Sequence, residues 1–167
     1  MSARDSILSA IRSAAVPPAP AAPALPVRAA PADTGALRDE FLRILAEVGG
    51  RGAVRRPEQS ALQLVAEMFG ADRAGTVVVR GRFAVAENGA VYVDAADLET
   101  RNSIVLAEHL VIIVPASAIV PTMHEAMRLM PADSRCGWFL SGPSKTADIE
   151  QSLVVGAQGS RTHTVIF

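Results

Sequence analysis

The chain has 167 residues, half of them hydrophobic but only 4% aromatic, with 16 basic and 17 acidic side chains and a net charge of −1. That length suits one domain plus an extension around an aliphatic core, and the charge balance excludes a nucleic-acid footprint or a polybasic membrane surface. The single cysteine, Cys136, excludes an internal disulfide framework and any cysteine-ligated metal or iron–sulfur cluster held by this chain alone.

Residues Ser2 to Ala14 are predicted to form a short helix. Ser2 is placed to cap it, with Asp5 three residues on and Ile7, Leu8 and Ile11 as one apolar stripe. Pro17 to Pro31 is an Ala/Pro segment that reads as an extended tether. Residues 1–31 are therefore expected to be a helix on a tether, and residues 32–167 the globular domain. The domain opens with a helix from about Gly35, with Leu37, Phe41, Ile44, Leu45 and Val48 on one face and Gly49-Gly50 as its stop. A second helix follows Pro57, with Leu62, Val65, Met68 and Phe69 as its stripe.

Thr76 to Val79 reads as a buried strand. Phe83 to Glu87 and Ala90 to Asp94 flank Asn88-Gly89, a strong hairpin signal that places Glu87 opposite Ala90 across a two-residue turn. Ile104 to Leu106 is a brief strand candidate, and Leu110 to Val114 a central one. Val120, Met123, Met127 and Met130 form the stripe of another helix, its methionines filling core rather than binding metal. Gly137 to Leu140 and Thr164 to Phe167 complete the strands. Helices, a hairpin and then alternating strands and helices indicate an α/β domain with a mixed sheet.

The chemistry concentrates in Ser141-Gly-Pro-Ser-Lys-Thr-Ala-Asp-Ile-Glu150. The segment reads as a strand-to-helix junction, with a helix starting near Thr146 on which Ile149, Leu153 and Gly156 share a face. A helix start exposes backbone N–H groups and a partial positive charge, so it receives anions. Gly142 supplies the turn, Ser144, Lys145 and Thr146 add two hydroxyls and an ammonium, and Asp148 and Glu150 suit the dipole. Simple capping by Ser144 or Thr146 is the structural alternative. Glu87 joins the candidates because open α/β sheets place ligands at strand ends, although a solvated turn carboxylate is the default.

His109, His124 and His163 lack metal-ligand spacing and read as structural, as does Cys136. No metal site is expected. Nor is there a G-x-G-x-x-G, a Walker loop or a G-x-S-x-G elbow, which argues against a dinucleotide oxidoreductase, a nucleoside triphosphatase and a serine hydrolase. No apolar run approaches the roughly 18 residues of a membrane span, and no signal peptide is evident, so a cytoplasmic protein is expected.

The segment Ser141 to Gly159 resembles the signature of the LUD-domain family, the lactate utilisation protein C proteins. Ala84-Val-Ala-Glu-Asn-Gly-Ala-Val91 is similar to that family's Ala-Glu-Thr-Gly-Thr hairpin, and the run His109 to Val114 also fits. The resemblance covers Phe83 to the C-terminus. It implies a layered α/β sheet similar to the CoA-transferase and ribose-phosphate isomerase group. It further implies a role in oxidising L-lactate to pyruvate as one subunit beside iron–sulfur partner subunits that hold the clusters; the small anionic metabolite expected as ligand rests on the Ser141 to Glu150 junction itself. The positions carried over are Glu87, Gly142, Pro143, Ser144, Thr146, Asp148, Ile149, Glu150, Gly156 and Gly159; none receives a catalytic role. Asn88, Ala90, Gln158 and Ser160 depart from the family pattern. The competing expectation is a stand-alone enzyme acting on a CoA ester or sugar phosphate, with Glu87 or Asp148 as acid, base or nucleophile.

Overall fold

The structure is a computed structural model that describes residues 2–14, 33–70, 74–147 and 153–167. Helix α1 spans Ala3–Ser13 and starts at a reciprocal capping box between Ser2 and Asp5. None of its residues is buried, and Ile7 and Ile11 are exposed, so its apolar stripe has no cover among the described residues. The expected tether, Pro17 to Pro31, lies outside them. Helix α2 (Thr34–Glu47) is capped by Asp33, whose carboxylate accepts from Gly35 N and Ala36 N. It buries Leu37, Phe41 and Leu45 and breaks at Gly49, where φ is +83°.

The Val/Ile-rich runs build a four-stranded, all-parallel sheet in the order β1 (Arg51–Ala53), β10 (Thr162–Ile166), β5 (His109–Ile113), β2 (Thr76–Arg80). Burial on both faces explains the apolar run Leu110 to Ile113 of β5. Leu110 and Ile112 point to one hydrophobic cluster and Val111 to another. The outer face is covered by α3 (Ala61–Phe69), begun by a Ser60–Gln63 capping box. Of the expected α3 stripe, Leu62 and Met68 are exposed, and Val65 is the buried residue, with Leu64 and Phe69 beside it.

A second, mixed sheet runs β6 (Ile119–Val120), β3 (Phe83–Val85), β4 (Ala90–Asp94), β7 (Gly137–Leu140). Its inner face (Ala84, Val91, Val93, Trp138, Leu140) meets the parallel sheet and α2 across the main core. Its outer face carries Phe83, Val85 and Tyr92 against α5 (Met123–Leu129). The molecule is thus layered α/β/β/α, in agreement with the expected α/β class.

Several local expectations fail for identifiable reasons. Ile104 to Leu106 is not a strand but α4 (Ser103–Leu106), a single turn closed by Leu106 N and Ala107 N donating to Asn102 O and Ser103 O. Only Ile104 has core to enter, while Val105 and Leu106 are exposed. Val120 belongs to β6 rather than to the following helix, in which Ala126 is buried and Met127 exposed. The hairpin turn is wider than expected: Val85, not Glu87, pairs with Ala90. Ala86 N and Glu87 N are instead drawn to Val120 O and Pro121 O.

The largest difference lies after Lys145. No helix starts at Thr146. Lys145–Ala147 is a strand, β8, paired antiparallel with β9 (Leu153–Val155), the segment expected to continue the helix. The backbone groups of both segments are taken up by each other, and Thr146, Val154 and Val155 are β-branched residues that favour strand. Asp148, Ile149 and Glu150 lie outside the described residues.

Candidate functional site

The loop leaving β7 is fixed at each step. Ser141 Oγ donates to Asn88 O at 2.8 Å, tying the loop to the hairpin turn. Gly142 sits at φ +72°, where a Cβ would come within 2.6 Å of Val48 O, so side chains are excluded there on both counts. Ser144 N donates to Ser160 O at 2.9 Å, and Gly156 N donates to Ser144 O at 2.9 Å. These bonds lash the loop after β7 to the loop before β10.

Between the two loops and the ends of the sheets lies a cavity of about 290 Å³. Its floor is apolar, formed by Ile104, Leu110, Trp138 and Leu140. Its polar groups come from Ser141, Ser144, Gln158, Ser160 and His163. Among the described residues no Asp, Glu, Lys or Arg lines it. The strand thus ends at a cavity as expected, but among the described residues no helix starting near Thr146 points into it.

Of the candidate site residues, Gly142 and Ser144 line this cavity, as do the carried-over Pro143 and Gly159, whereas Glu87, Lys145 and Thr146 do not; Asp148 and Glu150 lie outside the described residues. The Lys145 ammonium donates to Val48 O at 2.5 Å, just past the end of α2, where a helix terminus welcomes a cation. Thr146 Oγ1 makes only a long 3.5 Å contact with Val154 O across the β8–β9 ladder. Glu87 Oε1 accepts from Met123 N at 2.6 Å. That bond caps α5 and uses the carboxylate in the fold, so Glu87 is neither a loose turn residue nor a lining residue.

His163, which the sequence assigns a structural place, is neither exposed nor hydrogen-bonded. It is 1% exposed, and neither ring nitrogen has a hydrogen-bond partner in the described structure. Burial holds its pKa down at about 4, below the usual histidine range, so the ring is neutral at pH 7. A signal was available: period 2 along β10 puts His163 on the same inward face as Val165 and Phe167. His109, by contrast, is satisfied, its Nδ1 lying 2.8 Å from Thr162 Oγ1.

No group of three His, Cys, Asp or Glu side chains suited to a metal ion occurs among the described residues. A lone Cys136 cannot supply the four thiolates of an ordinary iron–sulfur cluster. No helix among the described residues is long and apolar enough to cross a membrane.

The family model described as LUD domain matches residues 70–167. Lactate utilization protein C 1 of Bacillus mycoides is 40% identical over 82 residues, covering 45% of this chain and 35% of that protein. Lactate utilization protein C of Halalkalibacterium halodurans is 31% identical over 96 residues, covering 53% and 42%. That of Macrococcus caseolyticus is 35% identical over 103 residues, covering 58% and 45%. The chain therefore spans less than half the length of these curated relatives. The crystal structure of a DUF162 family protein from Deinococcus radiodurans aligns over 81% of this chain and 98% of its own, with TM-score 0.55 and 16% identity. That likeness concerns the fold alone.

Proposed function

This chain belongs to the LUD domain family, and from that premise we propose that it serves as a subunit of a lactate-utilising assembly. In this reading the assembly oxidises L-lactate to pyruvate, and separate iron–sulfur subunits take the electrons. This chain offers one cysteine and so cannot itself carry a four-cysteine cluster. Its own contribution is to bind a small acid in the cavity at the end of β7. The supporting observation is the cavity's build: the family-matched loops Gly142–Ser144 and Gln158–Ser160 close around it, and their cross-loop hydrogen bonds preorganise it.

Size supports a small ligand. At about 290 Å³ the space lies at the lower edge of the roughly 300–1,000 Å³ of ordinary small-molecule pockets. A three-carbon acid fits, and a CoA ester would not be enclosed. Without a lining cation, a carboxylate there relies on hydroxyl and amide donors, so modest affinity is expected.

Two measurements test the proposal. Affinity capture of the tagged chain from lactate-grown cells of its natural host should bring down iron-containing proteins, and calorimetry should detect L-lactate or pyruvate. Capture of the chain alone, together with no heat from either acid, overturns it.

One observation favours a second reading, a stand-alone enzyme on a phosphate-bearing metabolite such as a CoA ester or sugar phosphate. A larger groove of about 620 Å³ opens at the carboxyl ends of β2 and β5, with Arg55 and Arg80 at its sides and no carboxylate in its lining among the described residues. Open α/β sheets take ligands at this edge. Binding of CoA or phosphate that is lost in Arg80→Ala, while the cavity loops stay unperturbed, selects it.

A further inference from the structure

We infer that His163 is the buried ligand-reading residue of the β7 cavity, a neutral imidazole that hydrogen-bonds the hydroxyl or carbonyl oxygen of a bound 2-hydroxy or 2-oxo acid. The inference rests on the proposed binding of a small acid in this cavity and goes beyond it by naming the group that reads the ligand.

Buried polar groups in folded proteins are nearly always hydrogen-bonded, and one left alone costs on the order of 1–3 kcal/mol. His163 carries two ring nitrogens, both inaccessible and both without a protein partner. It stands on β10 directly beside Leu110 of β5, and both residues line the cavity. The position faces the core between the sheets, where Val165 and Phe167 follow it. A leucine would suit that face, so packing gives no reason for an imidazole. The cavity does: His163 is one of its lining residues, and a turn of the ring about its side-chain torsions would bring a covered nitrogen to a molecule held by Ser144 and Ser160.

The protonation state sets what the ring can do. With its pKa near 4 the imidazole is neutral at pH 7, so it offers one N–H donor and one lone pair. A hydroxyl can donate to or accept from such a ring, and a carbonyl can accept from it. The same property makes His163 a weak base. It positions the oxygen, and no proton abstraction is assigned to it.

The test uses the full chain with L-lactate and pyruvate as probes. In the wild type, either acid should shift the imidazole nitrogen resonances of His163 together with the backbone amides of Ser144 and Gly159. His163→Leu should fold with an unchanged or higher Tm, since it replaces an unsatisfied polar group with an apolar one of similar size. Its affinity should fall by about tenfold or more, the cost of one missing hydrogen bond to a ligand. His163→Gln, which keeps a donor and an acceptor, should bind within a few-fold of wild type and serves as the reporter if the leucine variant misfolds. Amide shifts without imidazole shifts, or wild-type affinity in His163→Leu, overturn the role of His163 and leave the cavity as a binding site. No shift at either place overturns the binding reading and this inference together.

Discussion

Asp94 and His163 are both almost fully buried, at 3% and 1% exposure, yet they are treated in opposite ways. Asp94 closes the mixed sheet within a complete network. Its Oδ1 accepts from Ala96 N at 2.9 Å, its Oδ2 accepts from the Tyr92 hydroxyl at 3.1 Å, and Arg82 approaches to 3.8 Å. The Ala96 amide, the Ser134 hydroxyl and the Tyr92 hydroxyl, with Arg82 nearby, hold its pKa below the usual carboxylate range. His163 has none of this, only desolvation. A satisfied buried group contributes to architecture. An unsatisfied one weakens the fold, and beside a cavity its partner is to be sought in what the cavity holds.

The pH dependence of stability separates the two. The pKa of His163 is depressed to about 4 from 6.5, so below pH 6.5 the unfolded chain binds a proton that the folded chain refuses. Its contribution is intact above pH 6.5 and is lost as the pH falls to about 4. The loss is on the order of 3 kcal/mol, since each pKa unit is worth about 1.4 kcal/mol. Asp94 is also lowered, but from a carboxylate value. Its contribution is present above pH 3.8 and disappears below that. Urea denaturation across this range should show a decline between pH 6.5 and 4 that His163→Leu abolishes and a lower one that it leaves. An unchanged decline in His163→Leu would place the upper window on another group.

Asp94→Asn attacks the satisfied member. It exchanges an acceptor of the Ala96 amide for a group that can present a donor there, and it removes the charge facing Arg82. A loss of about 1–3 kcal/mol is expected by denaturant midpoint, with no change in the binding of L-lactate or pyruvate. An effect on binding would link the Asp94 network to the cavity, which the lining residues of the two regions do not.

The parts of the fold set by periodicity were legible. Strands β2, β5, β7 and β10 follow from their apolar runs, and the Ser2–Asp5 capping box lies where the sequence puts it. The parts set by distant partners were not. Ser, Thr and Asp after Gly142 look locally like helix-start chemistry, and nothing local reveals that Lys145–Ala147 pairs with Leu153–Val155. The candidate site divides the same way. Gly142 and Ser144 were found because a turn and its hydroxyl are local features. His163 needed the knowledge that β10 lies beside β5 and faces the mixed sheet. Glu87 was placed at a turn correctly, but its partner Met123 N is 36 residues away.

Glu87→Ala is therefore expected to destabilise the protein by about 1 kcal/mol, the usual cost of losing a helix cap, because it leaves the Met123 amide unpaired at the start of α5. Thr122 still accepts from Glu125 N at that end, which limits the loss. Thermal unfolding measures it. A fall in ligand affinity with no change in Tm would return Glu87 to the list of site residues.

Lys145→Ala is expected to have the smallest effect, and it bears most directly on the neutral character of the cavity. From its sequence position Lys145 looks like the cation that would receive a carboxylate. In the structure its ammonium is bound to Val48 O, beyond the C-terminal end of α2, and Lys145 is exposed to solvent. A cation at a helix C-terminus contributes about 0.3–1 kcal/mol at an exposed position, and salt screens it. The variant should therefore lose a few tenths of a kcal/mol at low ionic strength and less at high. Its binding of L-lactate and pyruvate should match wild type, because Lys145 does not line the cavity. Wild-type binding should likewise vary little with salt, as no charged side chain among the described residues lines the cavity. Steep salt dependence that disappears in Lys145→Ala would show the ammonium leaving Val48 for the ligand, and the site would then be an anion trap rather than a neutral hydrogen-bonding pocket read by His163.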